Sequence, residues 1–488
     1  MAATTTTMGR AGRGLRRKKP LPSSKLARVP ERIAVVAFSI FGLALGYGLA
    51  RMAAPFGSLA PVVVVALPLM PVLMFGVLDD PRVAAITAFA TIPIGTAHLG
   101  ALPTQLIIVV VAGFTVIVGL RRFAAGRNPL AWSPPMWWLA GLLAWSVIGY
   151  PGAIDSGLAI RQIAQLGGGM LYASLVLAAC RNTRDVRVVV AGFLAVSFVI
   201  GLTAVAGGHQ LQARYGGALV AGRAQGVFTQ PNELGSFCAP LALLALAVAV
   251  SGPSTRIRVA AGGVGLAVVA ALALSLSRGA WIGFGLGSAV LVLMLPRARR
   301  LVAFLTPFLL LLALGMGAFA PSNPQVQVIG ERLKSISGEK NPYDDRPAIW
   351  AEARREVRTN PLLGEGAGTF PVASVASTSE SRTTYAVHAH NLFLTWAAET
   401  GLPGAGCLVG LCVHLGLRAR RARRYAQRTG NPVDAAIVAG SAAALVAVVG
   451  QGMVDYTLRN SVIFVAVCGL AGLLMASIRV ATTPADST

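Results

Sequence analysis

Long apolar runs separated by short polar connections dominate this chain. A helix that crosses a membrane needs about 20 largely apolar residues, and runs of about 17 qualify when suitable residues flank them. On this template the sequence holds about 14 spans, or about 12 without the shortest runs, which predicts an all-helical polytopic membrane protein. The predicted spans are residues 33–50, 59–77, 83–97, 105–119, 136–150, 166–180, 186–206, 234–251, 259–276, 280–295, 301–320, 402–417, 435–452 and 461–478.

The composition agrees with a membrane protein, because 55% of the 488 residues are hydrophobic and only 12% are charged. A net charge of +24 would favour nucleic acid as the partner of a soluble chain. Here the basic residues gather in alternate connections, as at 181–187, 297–300 and 418–428, which is the positive-inside pattern. The charge therefore orients a multi-pass protein of the plasma (inner) membrane with both termini in the cytoplasm, and it argues against nucleic acid binding.

The spacing of the spans divides the chain into four regions. Residues 1–32 are predicted to form a basic cytoplasmic extension, and residues 33–206 an N-terminal transmembrane bundle. Residues 207–404 are the predicted functional core, and residues 405–488 hold C-terminal helices and a short cytoplasmic tail. The core includes a long, partly helical extracytoplasmic loop, 321–390, and loops of that length in compact proteins are usually functional or disordered.

Three arginines are predicted to lie at the outer membrane face. Arg223 precedes a span, Arg278 lies in a polar break between two apolar runs, and Arg346 begins a helix that prolines delimit within the long loop. Arginine near a membrane is costly unless it is paired or used, and its guanidinium group matches phosphate oxygens. The three residues are candidates for an oxyanion site, and each also has a structural interpretation as an interfacial, turn or ion-paired residue.

Two of the five histidines, His388 and His390, lie where the long loop meets an apolar helix. Histidine has an unperturbed pKa of about 6.5 and can take up a proton near neutral pH. Both residues are therefore candidates for acid–base chemistry. The alternatives are a loop histidine without a role at position 388 and a capping or packed histidine at position 390.

Further candidates lie in the loop itself. The run Gly364, Gly366 and Gly368 could bring backbone close to a substrate, although it lacks the preceding strand of a dinucleotide fingerprint. Trp350 could be a ligand platform but is more often a core or interface aromatic. The outer segments hold no Asp-x-Asp pair, which argues against a metal-dependent transferase, and the cysteines show no paired spacing typical of zinc sites or disulfides.

Taken together, these segments resemble the O-antigen ligase and O-antigen polymerase superfamily of bacterial envelope glycan enzymes. The similar segments cover roughly residues 207–404. They are Gly-Arg-x-x-Gly-x-Phe-x-x-Pro-Asn at 222–232, Ser-Arg-Gly-Ala at 277–280, Arg-x-x-x-Trp from Arg346, Asn-Pro-Leu-Leu-Gly-x-Gly-x-Gly-x-Phe at 360–370, and His390-Asn391 followed by Gly401 and Gly404.

The resemblance implies an inverting, metal-independent glycosyl transfer at the extracytoplasmic face, from a polyprenyl-pyrophosphate donor to a glycan, lipid or protein hydroxyl. It makes His390 the general base, Arg223 and Arg346 the pyrophosphate clamp, and Arg278 a supporting residue. No metal and no cofactor are expected. The other candidates are assigned to substrate binding: His388, Asn232, Asn391, Gly364, Gly366, Gly368 and Trp350.

Two other classes of function stay open at this point. A transporter or flippase of the lipid-linked glycan would favour inverted repeats and polar residues at the membrane midplane, and the sequence shows no repeat of fixed period. A structural scaffold would leave the histidines and arginines unexplained. Within the enzyme class, ligase and polymerase share the donor chemistry, so the residues do not separate them, nor do they identify the sugars.

Overall fold

The computed structural model describes residues 80–92, 106–207, 211–215, 218–300, 346–377, 388–429 and 431–482. The predicted spans 33–50, 59–77 and 301–320 lie outside these residues, as does the predicted extension 1–32. The predicted total of about 14 spans is therefore not tested.

Helices make up most of the described chain. They are α1 (Pro81–Ala90), α2 (Leu106–Ala124), α3 (Met136–Gly149), α4 (Ser156–Ala179), α5 (Thr183–Ala206), α6 (Pro231–Ser251), α7 (Thr255–Leu274), α8 (Arg278–Met294), α9 (Arg346–Thr359), α10 (Phe370–Ser377), α11 (Leu392–Arg428), α12 (Pro432–Gly452) and α13 (Ser461–Thr482). Short 3₁₀ turns at Tyr150–Gly152 and Thr457–Arg459 follow α3 and precede α13.

Within the described ranges, eight helices are long and apolar enough to cross a membrane: α2, α4, α5, α6, α7, α11, α12 and α13. The predicted class, a helical polytopic membrane protein, is confirmed at this level. One short antiparallel hairpin, β1 (Leu211–Tyr215) with β2 (Ala218–Arg223), departs from the all-helical prediction. Apolar and polar residues alternate only over the five residues of β1, and β2 begins with four consecutive apolar residues, so neither strand is long or regular enough to be recognised from the pattern.

Two helices extend well beyond their predicted spans. Helix α4 begins ten residues before predicted residue 166, at Ser156, because the Asp155 side chain caps it by accepting from the Leu158 amide at 2.9 Å. Helix α11 runs through Gly401, which has φ 69° and ψ −179°, so it is two helical segments joined at a kink. A search for apolar runs misses its basic end, because exposed arginines interrupt the apolar pattern without interrupting the helix.

Glycines allow the helices around α12 to pack closely. A Cβ atom at Gly283 or Gly287 of α8 would overlap the backbone oxygen of Ala447 or Ala443 in α12. Small residues at helix crossings are what membrane bundles use to bring backbones together. The close crossing brings the start of α8 beside the turn that follows α12, where a Cβ at Gly279 would contact the side chain of Asp455.

The helices of the loop region form a small core of their own against the first segment of α11. Ala353 of α9, Phe370 of α10, Ala389 and Ala398 pack together and are fully buried. Glu356 of α9 is also buried, and neither of its carboxyl oxygens has a hydrogen-bond partner within the described residues. Burial, followed by the nearby carboxylates, raises its pKa to about 8. Glu356 is therefore neutral in the folded protein near pH 7.

Replacing Glu356 with glutamine is expected to raise the melting temperature at pH 8 and to have little effect near pH 5. Between an unfolded pKa near 4.5 and a folded pKa near 8, only the folded wild type holds the proton. Its free energy of unfolding therefore falls as the pH rises, by up to about 1.4 kcal/mol per pH unit. Glutamine does not ionise, so the free energy of unfolding of the variant lacks this dependence on pH. Thermal unfolding of the detergent-solubilised protein from pH 5 to 8 measures the difference.

Glu352→Gln is the matched control, because Glu352 lies on the same helix and forms a hydrogen-bonded ion pair with Arg355 at 2.6 Å. Its removal is expected to lower stability slightly at pH 8. An equal pH dependence of stability in the wild type and in Glu356→Gln would contradict a neutral Glu356.

Candidate active site

The break between α7 and α8 anchors the segment that carries Arg223. Leu276 in the break has φ 50°, a left-handed conformation that is uncommon for leucine and reverses the chain in few residues. The Arg223 Nε donates to the backbone oxygen of Ser275 at 2.9 Å, and the Ala224 amide donates to that of Leu274 at 3.0 Å. These two bonds fix the end of β2 to the break, and the bond to Ser275 also holds the Arg223 side chain in place.

A continuous row of hydrogen bonds leads from this arginine to His390. Arg223 Nη2 donates to Asn232 Oδ1 at 2.6 Å, and Asn232 Nδ2 donates to Asp455 Oδ2 at 2.8 Å. The other carboxylate oxygen, Asp455 Oδ1, lies 3.1 Å from His390 Nδ1. Four stretches that are far apart in sequence therefore meet at one point: the end of β2, the start of α6, the turn after α12, and the residue before the N-cap of α11.

The backbone at His390 is held in an unusual conformation. Its φ is 51°, in the left-handed region that non-glycine residues seldom adopt. The His390 amide donates to His388 Nδ1 at 3.1 Å, and the two rings meet edge to face at 4.3 Å. On the other side, Trp350 Nε1 donates to the Ala389 oxygen at 2.8 Å. Strained residues of this kind cluster at functional sites, and here the neighbouring side chains fix the strained turn.

Asn391 joins this turn to the Asp455 turn. Its side chain caps α11 by accepting from the Leu394 amide at 3.0 Å, and its Nδ2 donates to the Met453 oxygen at 3.0 Å. Because Met453 is two residues before Asp455, the bond fixes the distance between the His390 turn and the carboxylate. Both polar atoms of Asn391 are used within the protein, so its predicted contact with substrate remains a prediction.

The electrostatics of the cluster favour an ionised Asp455 carboxylate beside a neutral His388 ring. Burial by itself raises the pKa of Asp455, but the hydrogen bond from His390 and the positive charges around it outweigh burial, so the pKa is lowered. Burial, followed by repulsion from His390, lowers the pKa of His388 to about 3. Asp455 is therefore ionised and His388 neutral throughout the physiological range.

His390 is the member of the pair that faces outward. Its side chain is 35% exposed, whereas that of Asp455 is 8% exposed. A buried carboxylate accepts a hydrogen bond from the Nδ1–H tautomer, which leaves Nε2 with its lone pair. The arrangement can therefore take a proton from a group that approaches His390 from the exposed side, with the carboxylate holding the ring in place.

The other two predicted arginines lie at the margin of this cluster. Arg346 begins α9 and is close enough to Asp455 for its charge to help lower the carboxyl pKa. Arg278 begins α8 beside Gly279, the residue that faces the Asp455 turn. Arg459, which the sequence did not single out, lies in the 3₁₀ turn after Asp455 and acts electrostatically on His388. Positive charge thus surrounds the His390–Asp455 pair.

The glycine run lies elsewhere. Gly364, Gly366 and Gly368 all have φ between 69° and 106°, which explains the need for glycine. The Glu365 and Gly366 amides donate to the oxygens of Ala398 and Glu399 beside the kink in α11, each at 3.0 Å. A Cβ at Gly364 would overlap the Glu399 backbone. Contacts with protein therefore account for these glycines, and their predicted role in substrate binding is not tested.

Three side chains in the cluster carry atoms of the kind that bind metal ions. The ligating atoms of His388, His390 and Asp455 lie within 4.8 Å of one another. However, His388 Nδ1 accepts from the His390 amide and His390 Nδ1 contacts Asp455, so the hydrogen bonds already use one ring nitrogen of each histidine. These hydrogen bonds leave the two Nε2 atoms as the ring nitrogens without a use of their own here, and the prediction of no metal stays a prediction.

Asp455 is the functional candidate that the sequence interpretation missed. It is a carboxylate in the short polar connection between the predicted spans 435–452 and 461–478. Ionisable residues of membrane segments are functional candidates by default, and this rule covers carboxylates as well as arginines. The signal was thus present in the sequence, but its pairing with His390 needs the fold.

Comparisons with known proteins agree with part of this site. A family model described as O-Antigen ligase matches residues 263–409, which confirms over that segment the resemblance found in the sequence motifs. The segment includes Arg278, Arg346 and His390 and leaves out Arg223 and Asp455. No curated protein matches the chain.

One solved chain is similar at the level of its coarse outline. It belongs to the structure described as "Structural coordination of polymerization and crosslinking by a peptidoglycan synthase complex". It is 21% identical, and the match covers 71% of the present chain and 98% of the solved one, with a TM-score of 0.41.

Proposed function

We propose, with the O-antigen ligase segment at residues 263–409 as the premise, that this protein is a membrane glycosyltransferase. The family match and the apolar helices support an integral membrane protein with O-antigen ligase-like glycosyl transfer at a general level. Our proposal is more specific: the protein moves a glycan from a polyprenyl-pyrophosphate donor to an acceptor hydroxyl, with inversion and without a metal ion.

One observation carries the proposal: the row of hydrogen bonds that joins His390 to Arg223 through Asp455 and Asn232. It combines the two groups that such a transfer needs. A base must accept the proton of the acceptor hydroxyl, and fixed positive charge must meet the negative charge that develops on the leaving pyrophosphate. Because the four side chains are bonded in series, the base and the cation are held at a set separation.

The proposed step balances as follows. The acceptor oxygen attacks the anomeric carbon of the donor while its proton passes to His390 Nε2. The bond from that carbon to the pyrophosphate oxygen breaks, and the lipid pyrophosphate leaves with the electron pair. Attack on the face opposite the leaving group inverts the anomeric centre. Arg223 and Arg346 would stabilise the leaving oxyanion with Arg278 in support, so no general acid is required.

The direction of α11 supports an extracytoplasmic location for the site. The helix starts at Leu392, two residues after His390, and ends at Arg428 within a run of arginines. Basic clusters at the end of a span are retained on the cytoplasmic side. Since a membrane-spanning helix has its two ends on opposite faces, the His390 end would face the extracytoplasmic side, where lipid-linked glycans are used.

The experiment that tests the proposal uses the purified full-length protein with a synthetic polyprenyl-pyrophosphate oligosaccharide, in the presence of EDTA. Mass spectrometry of the products separates the possibilities. A ladder of repeat units supports a polymerase, and a single transfer to an added acceptor supports a ligase. Unchanged donor under every acceptor condition would overturn the proposal in favour of a transporter or flippase. Activity that returns only with added divalent ions would overturn metal independence.

A further inference from the structure

A cavity of about 820 Å³ lies along one face of α11, and neither His390 nor Asp455 is among the described residues that line it. Helices α8, α12 and α13 supply much of the rest of its wall. At one end the cavity reaches Leu392 and Trp396, near the start of α11. At the other end it reaches Arg420, Arg423 and Arg424, and the described wall between them is almost entirely aliphatic. The cavity is therefore apolar along its length and basic at one end only.

The basic end contains positive charge that the described part of the protein does not neutralise. The Nε of Arg423 is buried and has no hydrogen-bond partner among the described residues. Arg420 and Arg424 are its electrostatic neighbours and repel it, and none of the three forms an ion pair within the described residues. A buried guanidinium atom without a partner is costly, and the exposed Arg420 and Arg424 beside it add positive charge, so this end is complementary to an anionic group.

We infer that this cavity binds one anionic glycerophospholipid of the surrounding bilayer. Its phosphate contacts Arg423, Arg420 and Arg424, and an acyl chain extends along Leu415 and Leu411 toward Leu392. Guanidinium groups recognise phosphate through charge-assisted hydrogen bonds, and basic pockets between helices bind lipid headgroups. The inference goes beyond the proposed function, because neither the donor nor the transfer step enters it.

The distribution of charge favours this occupant over the hydrocarbon tail of a donor. A donor whose pyrophosphate lay near Arg223 would enter from the Leu392 end and would place the end of its hydrocarbon tail against three arginines. A phospholipid places its charged group at the arginines and its hydrocarbon against the aliphatic wall. Only the second arrangement matches both ends of the cavity.

The test uses the full-length protein in zwitterionic detergent, with phosphatidylglycerol or phosphatidylcholine added. Phosphatidylglycerol is expected to raise the melting temperature by about 2 °C or more beyond phosphatidylcholine, because it binds the folded state. Native mass spectrometry is expected to show one retained anionic lipid. The double variant Arg420→Gln/Arg423→Gln is expected to lose both effects. Leu415→Trp, which fills the cavity without changing charge, is expected to lose the retained lipid.

Arg421→Gln is the matched control, because Arg421 lies on the same helix and does not line the cavity. It is expected to keep the lipid and the shift in melting temperature. Equal shifts with both lipids, or a retained lipid in the double variant, would overturn the proposal. A retained polyprenyl phosphate in place of a glycerophospholipid would also overturn it and would assign the cavity to the donor. None of these outcomes depends on whether glycosyl transfer is observed.

Discussion

Replacing His390 with alanine is expected to lower kcat for glycosyl transfer by about 10²–10⁴-fold, the usual contribution of a positioned general base. The contact of Nδ1 with Asp455 positions the ring and leaves Nε2 as the nitrogen that accepts the proton. His388 is the nearest imidazole, but its Nδ1 accepts the His390 amide and its pKa of about 3 makes it a poor base at neutral pH. The measurement is the rate of product formation by mass spectrometry at saturating donor.

The matched control is His414→Ala. His414 lies in the second segment of α11, where Trp138 Nε1 donates to its Nδ1 at 3.2 Å, and the proposal gives it no part in the chemistry. Its replacement is expected to change kcat by no more than about two-fold. This change is much smaller than the loss expected when a general base is removed. Both variants should be inserted and monodisperse. A His390→Ala protein that transfers glycan at the wild-type rate would remove the assigned base and, with it, the proposed mechanism.

The sequence is most informative where a residue with reactive chemistry also lies in a recognisable short motif. His390, Arg223 and Asn232 were recognised as candidates from motifs, and the structure joins all three through Asp455. The pairing itself was out of reach, because Asp455 is 65 residues from His390 and belongs to another turn. Contacts between distant turns depend on how helices cross, and apolar periodicity does not determine the crossings.

For the glycine run, the sequence predicts a close approach of the backbone but not the partner that it approaches. Three glycines at alternate positions suggested a close approach to substrate, but positive φ is required equally when backbone approaches backbone. The structure places Gly364 against the kink of α11 and Gly366 against Ala153, and the kink residue Gly401 packs on the Leu362 backbone. The run therefore positions the loop helices on α11, and the sequence could not distinguish a protein partner from a ligand.

The predicted ends of the helices differ from the observed ends for a related reason. The apolar pattern finds the part of a helix that lies in the hydrocarbon, whereas caps and exposed charged turns continue outside it. Helix α11 is the main example, since its first segment carries the cap that sets His390 and its last segment carries Arg423. Both ends, which hold the residues of greatest interest, lie outside the predicted span 402–417.

Replacing Asp455 with asparagine is expected to lower kcat nearly as much as the loss of His390, by about 10²–10⁴-fold. An Asp-to-Asn change beside the catalytic histidine of serine proteases lowers kcat by about 10⁴-fold, through loss of the correct tautomer. Here the direction of the whole row is fixed by Arg223, which can only donate. Asn232 must therefore accept from Arg223 and donate to Asp455. A carboxylate accepts from Asn232 and His390 together, whereas an amide can accept from only one of them.

Three further readouts separate positioning from general damage. Because the folded pKa of Asp455 is lowered, its ionised form stabilises the protein above an unfolded pKa near 3.8, and this contribution is lost only as the pH falls through the folded pKa. Asp455→Asn should therefore be less stable than wild type at every pH from 5 to 9, with no recovery of kcat within that range.

The control Asp434→Asn removes a buried carboxylate that accepts from Thr183 and Asn431 at the other end of α12. It should retain kcat, because Asp434 has no part in the row of hydrogen bonds that includes His390. The double variant His390→Ala/Asp455→Asn should be no slower than His390→Ala, because residues that act as one unit are not additive; additive losses would show that Asp455 acts apart from His390.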